Sequence, residues 1–138
     1  MNEKLREMLQ KHEGLRLKPY RCTAGKLSIG FGRNLDDKGI TEEEANWLLS
    51  NDIEEITQQA QDNFQWFDSL DEVRQNVILD MIYNLGMAGF LKFKLMIHFL
   101  EIGDYTQASI EMKDSKWFDQ VGDRAKELCK MMYTGIYL

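Results

Sequence analysis

The chain has 138 residues, 43% apolar and 11% aromatic, which is enough for one domain with a real core and too apolar for a disordered segment. Its 17 Lys and Arg against 23 Asp and Glu leave a net charge of −6, which disfavours a nucleic-acid binder. No run of about 18 uncharged apolar residues occurs, so no membrane-spanning helix and no membrane partner are expected.

The charge is uneven. Residues 1–40 carry nine Lys/Arg against five Asp/Glu (+4), and the remainder eight against eighteen (−10). The positive N-terminal part suits an anionic partner, although ordinary surface charge explains any single residue equally well. The opening MNEKLREMLQKHE is charged every few positions and lacks an apolar signal region, so synthesis in a cytoplasm is expected. Cys22 and Cys129 lie far apart without metal-ligand spacing, so two reduced thiols, no metal and no cofactor are expected.

In chain order, Leu5, Met8, Leu9 and His12 recur at helical spacing over residues 3–12, and Gly14 is a natural stop. Glu13 therefore falls at a helix C-terminus, where the negative pole of the dipole disfavours an ionised carboxylate. Leu15 and Leu17 then alternate, Pro19 breaks the run, and Thr23-Ala24-Gly25 reads as a turn. Leu27, Ile29 and Phe31 alternate with Ser28, Gly30 and Gly32, the pattern of a half-buried strand. Its opposite face, a serine and two glycines, is expected to be open to close approach.

Helices dominate from residue 41. Thr41-Glu42-Glu43-Glu44 is a capping box opening a helix to about residue 62, with Ala45, Leu49, Ile53, Ile56 and Ala60 inward. Ser69-Leu70-Asp71-Glu72 reads as a second box before a helix apolar over much of its circumference (Val73, Val77, Ile78, Met81, Ile82, Leu85), hence a buried central one. Gly86 and Gly89 end it. A helix over 91–102 stops at Gly103, Asp104 caps the next, and short helices over 115–119 and 123–133 close the chain. The class is α+β: one domain with a small antiparallel hairpin lobe (about 13–40), a linking helix (41–62), and a helical lobe (63–138) joined by the N-terminal helix.

Three ordered segments resemble one family. Glu13-Gly14-Leu15-Arg16-Leu17-Lys18, then Tyr20, then Ile29-Gly30-Phe31-Gly32, is similar to the active-site hairpin of the phage-type lysozymes and endolysins. "SLDEVRQNVILDMIYNLG" resembles their central helix and "SKWFDQVGDRAKELCKMMYTG" their C-terminal segment. The family shows Glu, eight residues, Asp or Cys, five residues, Thr; here the positions hold Glu13, Cys22 and Ser28. The resemblance implies a two-lobed fold and inverting hydrolysis of the β-1,4 bond between N-acetylmuramic acid and N-acetylglucosamine in peptidoglycan.

In that reading Glu13 is the general acid, and Cys22 with Ser28 orients the attacking water. Cys22 departs from the commoner Asp: an unperturbed thiol is mostly neutral at pH 7 and a poor base, unless Arg21 or Arg33 approaches it. A small buried apolar residue is the plain alternative for Cys22. The resemblance also puts Gly30, Phe31, Asn84 and Arg124 at the substrate, with Arg124 in the place of the arginine that pairs with the acid. Such a pair would oppose the dipole effect, so the sequence leaves the balance at Glu13 open. Asn84 is equally a helix-end residue; Tyr83 and Phe90 are as readily core as cleft, and Trp117 is expected in the core. Arg33 stands where many members have His, and a pair with an acid accounts for it as well.

The implied setting is host-cell lysis by a monomer, with a holin as possible release partner. A lytic transglycosylase, using one glutamate to form an anhydro sugar, is the second enzyme reading. A weakly catalytic glycan-binding protein is a third.

Overall fold

The computed structural model describes residues 2–138. It is α+β: seven helices and one three-stranded antiparallel sheet, in two compact units, Met1–Leu48 and Leu49–Leu138.

In the first unit, helix α1 (Glu3–Glu13) starts where the Asn2 side chain accepts the Leu5 N–H at 2.9 Å, and ends at Gly14 with φ +72°. Its apolar stripe is present, yet α1 buries none of its side chains. Strands β1 (Arg16–Arg21), β2 (Leu27–Gly30) and β3 (Arg33–Asn34) follow in the spatial order β1-β2-β3. Pro19 does not break β1. The strand lies at the sheet edge, where a missing N–H is tolerated, and its register shifts between Arg16 and Tyr20.

The expected faces of β2 are corrected. Ser28, placed on the open face, is 3% exposed, and Phe31, placed inward, is 44% exposed. Register explains the first: Ser28 opposes Tyr20 on one side and Asn34 on the other, and cross-strand partners share a face. The second follows because the strand ends at Gly30; Phe31 sits in the turn to β3, where alternation no longer applies.

Polar contacts hold this unit. Asp36 accepts the Leu27 N–H at 2.7 Å, Lys26 meets Asp37 at 3.1 Å, and Asn34 donates to Asp37 at 3.0 Å. The Thr41 capping box forms as expected: Thr41 Oγ1 accepts the Glu44 N–H at 3.1 Å, and Glu44 Oε1 accepts the Thr41 N–H at 2.9 Å. It opens α2 (Glu42–Asn63), which runs from the first unit into the second. Of the five residues expected inward, Ala60 is buried and Ile56 half-buried, whereas Ala45, Leu49 and Ile53 are exposed. The packing of α2 begins at Ile56 and Ala60 and continues into the buried Phe64 and Phe67 that follow it.

The second unit contains the apolar core. Asp71, not Ser69, caps α3 (Glu72–Phe90) by accepting the Arg74 N–H at 3.1 Å; Ser69 closes a short 3-10 turn instead. Val77, Ile78, Met81, Ile82 and Phe90 of α3 are buried, which makes it the central helix. Gly86, at φ +74° and ψ 162°, breaks the regular helix as expected, and a second helical segment continues to Phe90. Around it pack α4 (Lys94–Glu101), α5 (Tyr105–Lys113, capped by Asp104), α6 (Lys116–Val121) and α7 (Asp123–Thr134). Arg74 clasps the end of α7, donating to the Met132 and Tyr133 carbonyls at 2.7 and 3.1 Å while lying 4.1 Å from the Tyr105 ring centre.

Ile78 is fully buried, so Ile78→Ala should cost about 2–5 kcal/mol in chemical denaturation, whereas Ile102→Ala on the surface should cost about 0.5 kcal/mol or less.

Candidate active site

The hairpin unit brings the sequence-derived residues Glu13, Cys22 and Ser28 onto adjoining elements. Glu13 ends α1, and the positive φ of Gly14 turns the chain directly into β1. Across the sheet, the Gly30-Phe31-Gly32 turn returns to the same place. Gly32, at φ +80°, lies under the Glu13 carboxyl so closely that a Cβ on residue 32 would stand 2.7 Å from Glu13 Oε2. The glycine-rich stretch was expected to admit a close approach, and the approaching group is the acid itself.

Cys22 opens the tight turn between β1 and β2. Its N–H donates to the Lys26 carbonyl at 2.9 Å and its carbonyl accepts from Gly25 at 2.8 Å. This curl aims backbone N–H groups at the sulfur. The N–H of Lys26, then that of Ala24, and after them the Ser28 hydroxyl pull the thiol below its ordinary value. Cys22 is half-buried and unpaired in any disulfide. Ser28 also donates to the Lys26 carbonyl at 3.3 Å.

Neither arginine supplies this effect. Arg21 donates to the Gly25 carbonyl at 3.2 Å and pairs with Asp36 at 3.5 Å. Arg33 forms a two-pronged pair with Glu44, 2.8 Å for each nitrogen, and also reaches the Gly39 carbonyl at 3.2 Å. The Arg33 guanidinium, with the Thr41 N–H and hydroxyl behind it, holds the Glu44 carboxyl down at about 2. The chain immediately after Gly32 is thereby anchored to the first turn of α2.

Gly30 opens the turn at φ +71°, and Phe31 beside it presents an exposed ring. The remaining two candidates belong to the second unit. Asn84 on α3 accepts the Trp117 indole N–H at 3.1 Å, and Trp117 is core, as expected. Arg124 on α7 is engaged by Asp80, with Nη2 2.7 Å and Nε 2.8 Å from Oδ1. Phe90 is fully buried, whereas Tyr83 is exposed beside Asp80 and Arg124. Sequence reasoning placed Gly32 on the open face without naming it a site residue, and it passed over Asp80. The first had a signal in its strand glycine; the second, one acid among many on a helix, had none.

Two measurements check this electrostatic picture. The Glu44 carboxyl falls from an ordinary 4.5 to about 2 on folding, so its stabilisation is complete above pH 4.5 and fades as pH drops towards 2. Glu44→Gln should lower the melting temperature at pH 7, and its deficit relative to the unaltered protein should shrink between pH 4.5 and 2. Iodoacetamide should label Cys22 alone in the folded chain, with a rate midpoint below the ordinary thiol value. Cys129, buried and pushed up to about 11, should label only after denaturation, as mass spectrometry of the two states would show.

The sequence model of the family described as phage lysozyme matches residues 10–131. Among similar proteins, the endolysin of Acyrthosiphon pisum secondary endosymbiont phage 1 is 37% identical, over 84% of this chain and 80% of its own. A probable T4-type lysozyme 1 of Dictyostelium discoideum is 26% identical over 98% of this chain and 96% of its own. The pre-baseplate central spike protein Gp5 of Enterobacteria phage T4 is 26% identical over 97% of this chain, a match confined to 28% of that longer protein. With most of its length inside the family model, the chain belongs to the phage lysozyme family and is a lysozyme-type glycoside hydrolase.

Proposed function

We propose that this peptidoglycan hydrolase is an inverting N-acetylmuramidase, cleaving the β-1,4 bond between N-acetylmuramic acid and N-acetylglucosamine. The observation that carries the reading is one hairpin unit holding the Glu13 carboxyl over Gly32 and a polarised Cys22 beside Ser28. Protonated Glu13 gives its proton to the glycosidic oxygen as the anomeric C–O bond breaks. Water attacks the opposite face of the sugar and loses a proton to the Cys22 thiolate, which the buried Ser28 hydroxyl steadies from behind. The thiolate's negative charge also faces the positive charge that develops on the ring. The turn N–H groups of Lys26 and Ala24 make a sulfur anion attainable where the family more often has a carboxylate. Afterwards Glu13 is ionised and Cys22 protonated, and solvent exchange resets both.

Gly30 and Phe31 border the acid's side of the hairpin, and Asn84 and Arg124 are the candidates for glycan contact from the second unit. The endolysin relative supports host-cell lysis as the setting.

Purified peptidoglycan incubated with the protein should release N-acetylmuramic reducing ends. Glu13→Gln, which keeps the shape and removes the transferable proton, should lower the rate about 100- to 10,000-fold. Release of 1,6-anhydro ends would replace hydrolysis by transglycosylation, and retention on peptidoglycan without any cleavage would leave a binding role.

A further inference from the structure

We infer that Gly32 is the positioning residue for the acid: the missing side chain at 32 forms the seat that selects the conformation of Glu13. The inference rests on the reading of Glu13 as general acid. A Cβ at residue 32 would lie 2.7 Å from Oε2, 3.0 Å from Cδ and 3.4 Å from Cγ of Glu13, so the whole end of the side chain rests on this one Cα. Glu13 is exposed, no hydrogen bond or ion pair to its carboxyl is found among the described residues, and its tip lies close against Gly32.

Two features decide what a methyl group there would do. Gly32 cannot retreat easily, because the next residue, Arg33, is tied to Glu44 through both terminal nitrogens and to the Gly39 carbonyl. Glu13 can retreat, because the clash falls on the tip of a side chain with three rotatable bonds. The fold therefore yields at the carboxyl rather than at the backbone. A displacement of about 1 Å at a proton donor is enough to cost on the order of 100-fold in rate.

The left-handed backbone adds a separate penalty for any L side chain, and Gly103 controls for it. Gly103 has φ +79°, nearly that of Gly32, and nothing within 4 Å of an added Cβ; it lies in the loop after α4. Gly32→Ala and Gly103→Ala thus share the positive φ, and only the first sets a Cβ against the carboxyl.

The test compares the unaltered protein with both variants. Three-bond couplings of the Glu13 side chain, measured by NMR, give its rotamer without reference to activity. Reducing-end assays give kcat, KM and the pH profile. Gly32→Ala should change the Glu13 rotamer, lower kcat about 100-fold with KM within about twofold, and move the acid-dependent limb of the profile. Gly103→Ala should leave all four as they were. An unchanged rotamer in Gly32→Ala, or a kcat equal to that of Gly103→Ala, would overturn the assignment. If the unaltered protein releases no ends, the muramidase reading fails, and the rotamer comparison still decides whether Gly32 seats the carboxyl. If Gly32→Ala does not fold, combining it with Glu13→Ala removes the obstacle and should restore folding; failure of that double variant would also overturn it.

Discussion

The two-pronged pair between Arg33 and Glu44 is the contact on which the hairpin unit turns. Among the described residues of that unit no apolar side chain is fully buried, with Leu27, Ile29 and Leu35 half-buried, so polar bonds carry a large share of its order. One carboxyl serves two elements at once. It closes the capping box at the start of α2 and grips the end of the strand that follows Gly32. A charged, two-point bond resists rotation as well as separation, which a single hydrogen bond does not. The position of the Gly30–Gly32 turn, and with it the ground beneath Glu13, follows from that grip.

The second unit is organised by the opposite principle. A helix apolar on most sides is covered by four others, and the polar contacts there serve the ends and edges of helices. Asn84 and Arg124 are each held by a single named partner, Trp117 and Asp80. Such restraint leaves little rotamer freedom at either side chain.

The thiol at position 22 shows how local geometry acts on the ionisation of a side chain. A carboxylate brings its own charge, whereas a thiol must be persuaded to ionise. Here the persuasion comes from backbone N–H groups in a four-residue curl, a fixed feature of the chain, and not from a mobile cation. Buried Cys129 illustrates the alternative environment: the same side chain, surrounded by apolar groups, is driven the other way.

Periodicity and end signals were sufficient for the α+β class and for most helix boundaries, because these depend on residues close in the chain, whereas the family was legible only as a resemblance of whole segments. Glu13, Cys22 and Ser28 were singled out by their resemblance to the family's hairpin pattern. Several other features lay beyond local pattern. The burial of Ser28 needed the register of both flanking strands, and the exposure of Leu49 and Ile53 needed knowledge of where packing against α2 begins. Arg33 and Arg21 were identifiable as cations, but their choice of Glu44 and Asp36 required the hairpin to close. The seat of the acid is the clearest case: Gly32 is 19 residues from Glu13 in the chain, and only the fold brings its bare Cα beneath that carboxyl. The sequence determined which elements form, since hydrogen bonding along helices and at turns is local. Tertiary structure decided which groups meet, since contact between distant residues depends on register and packing, which no single segment contains.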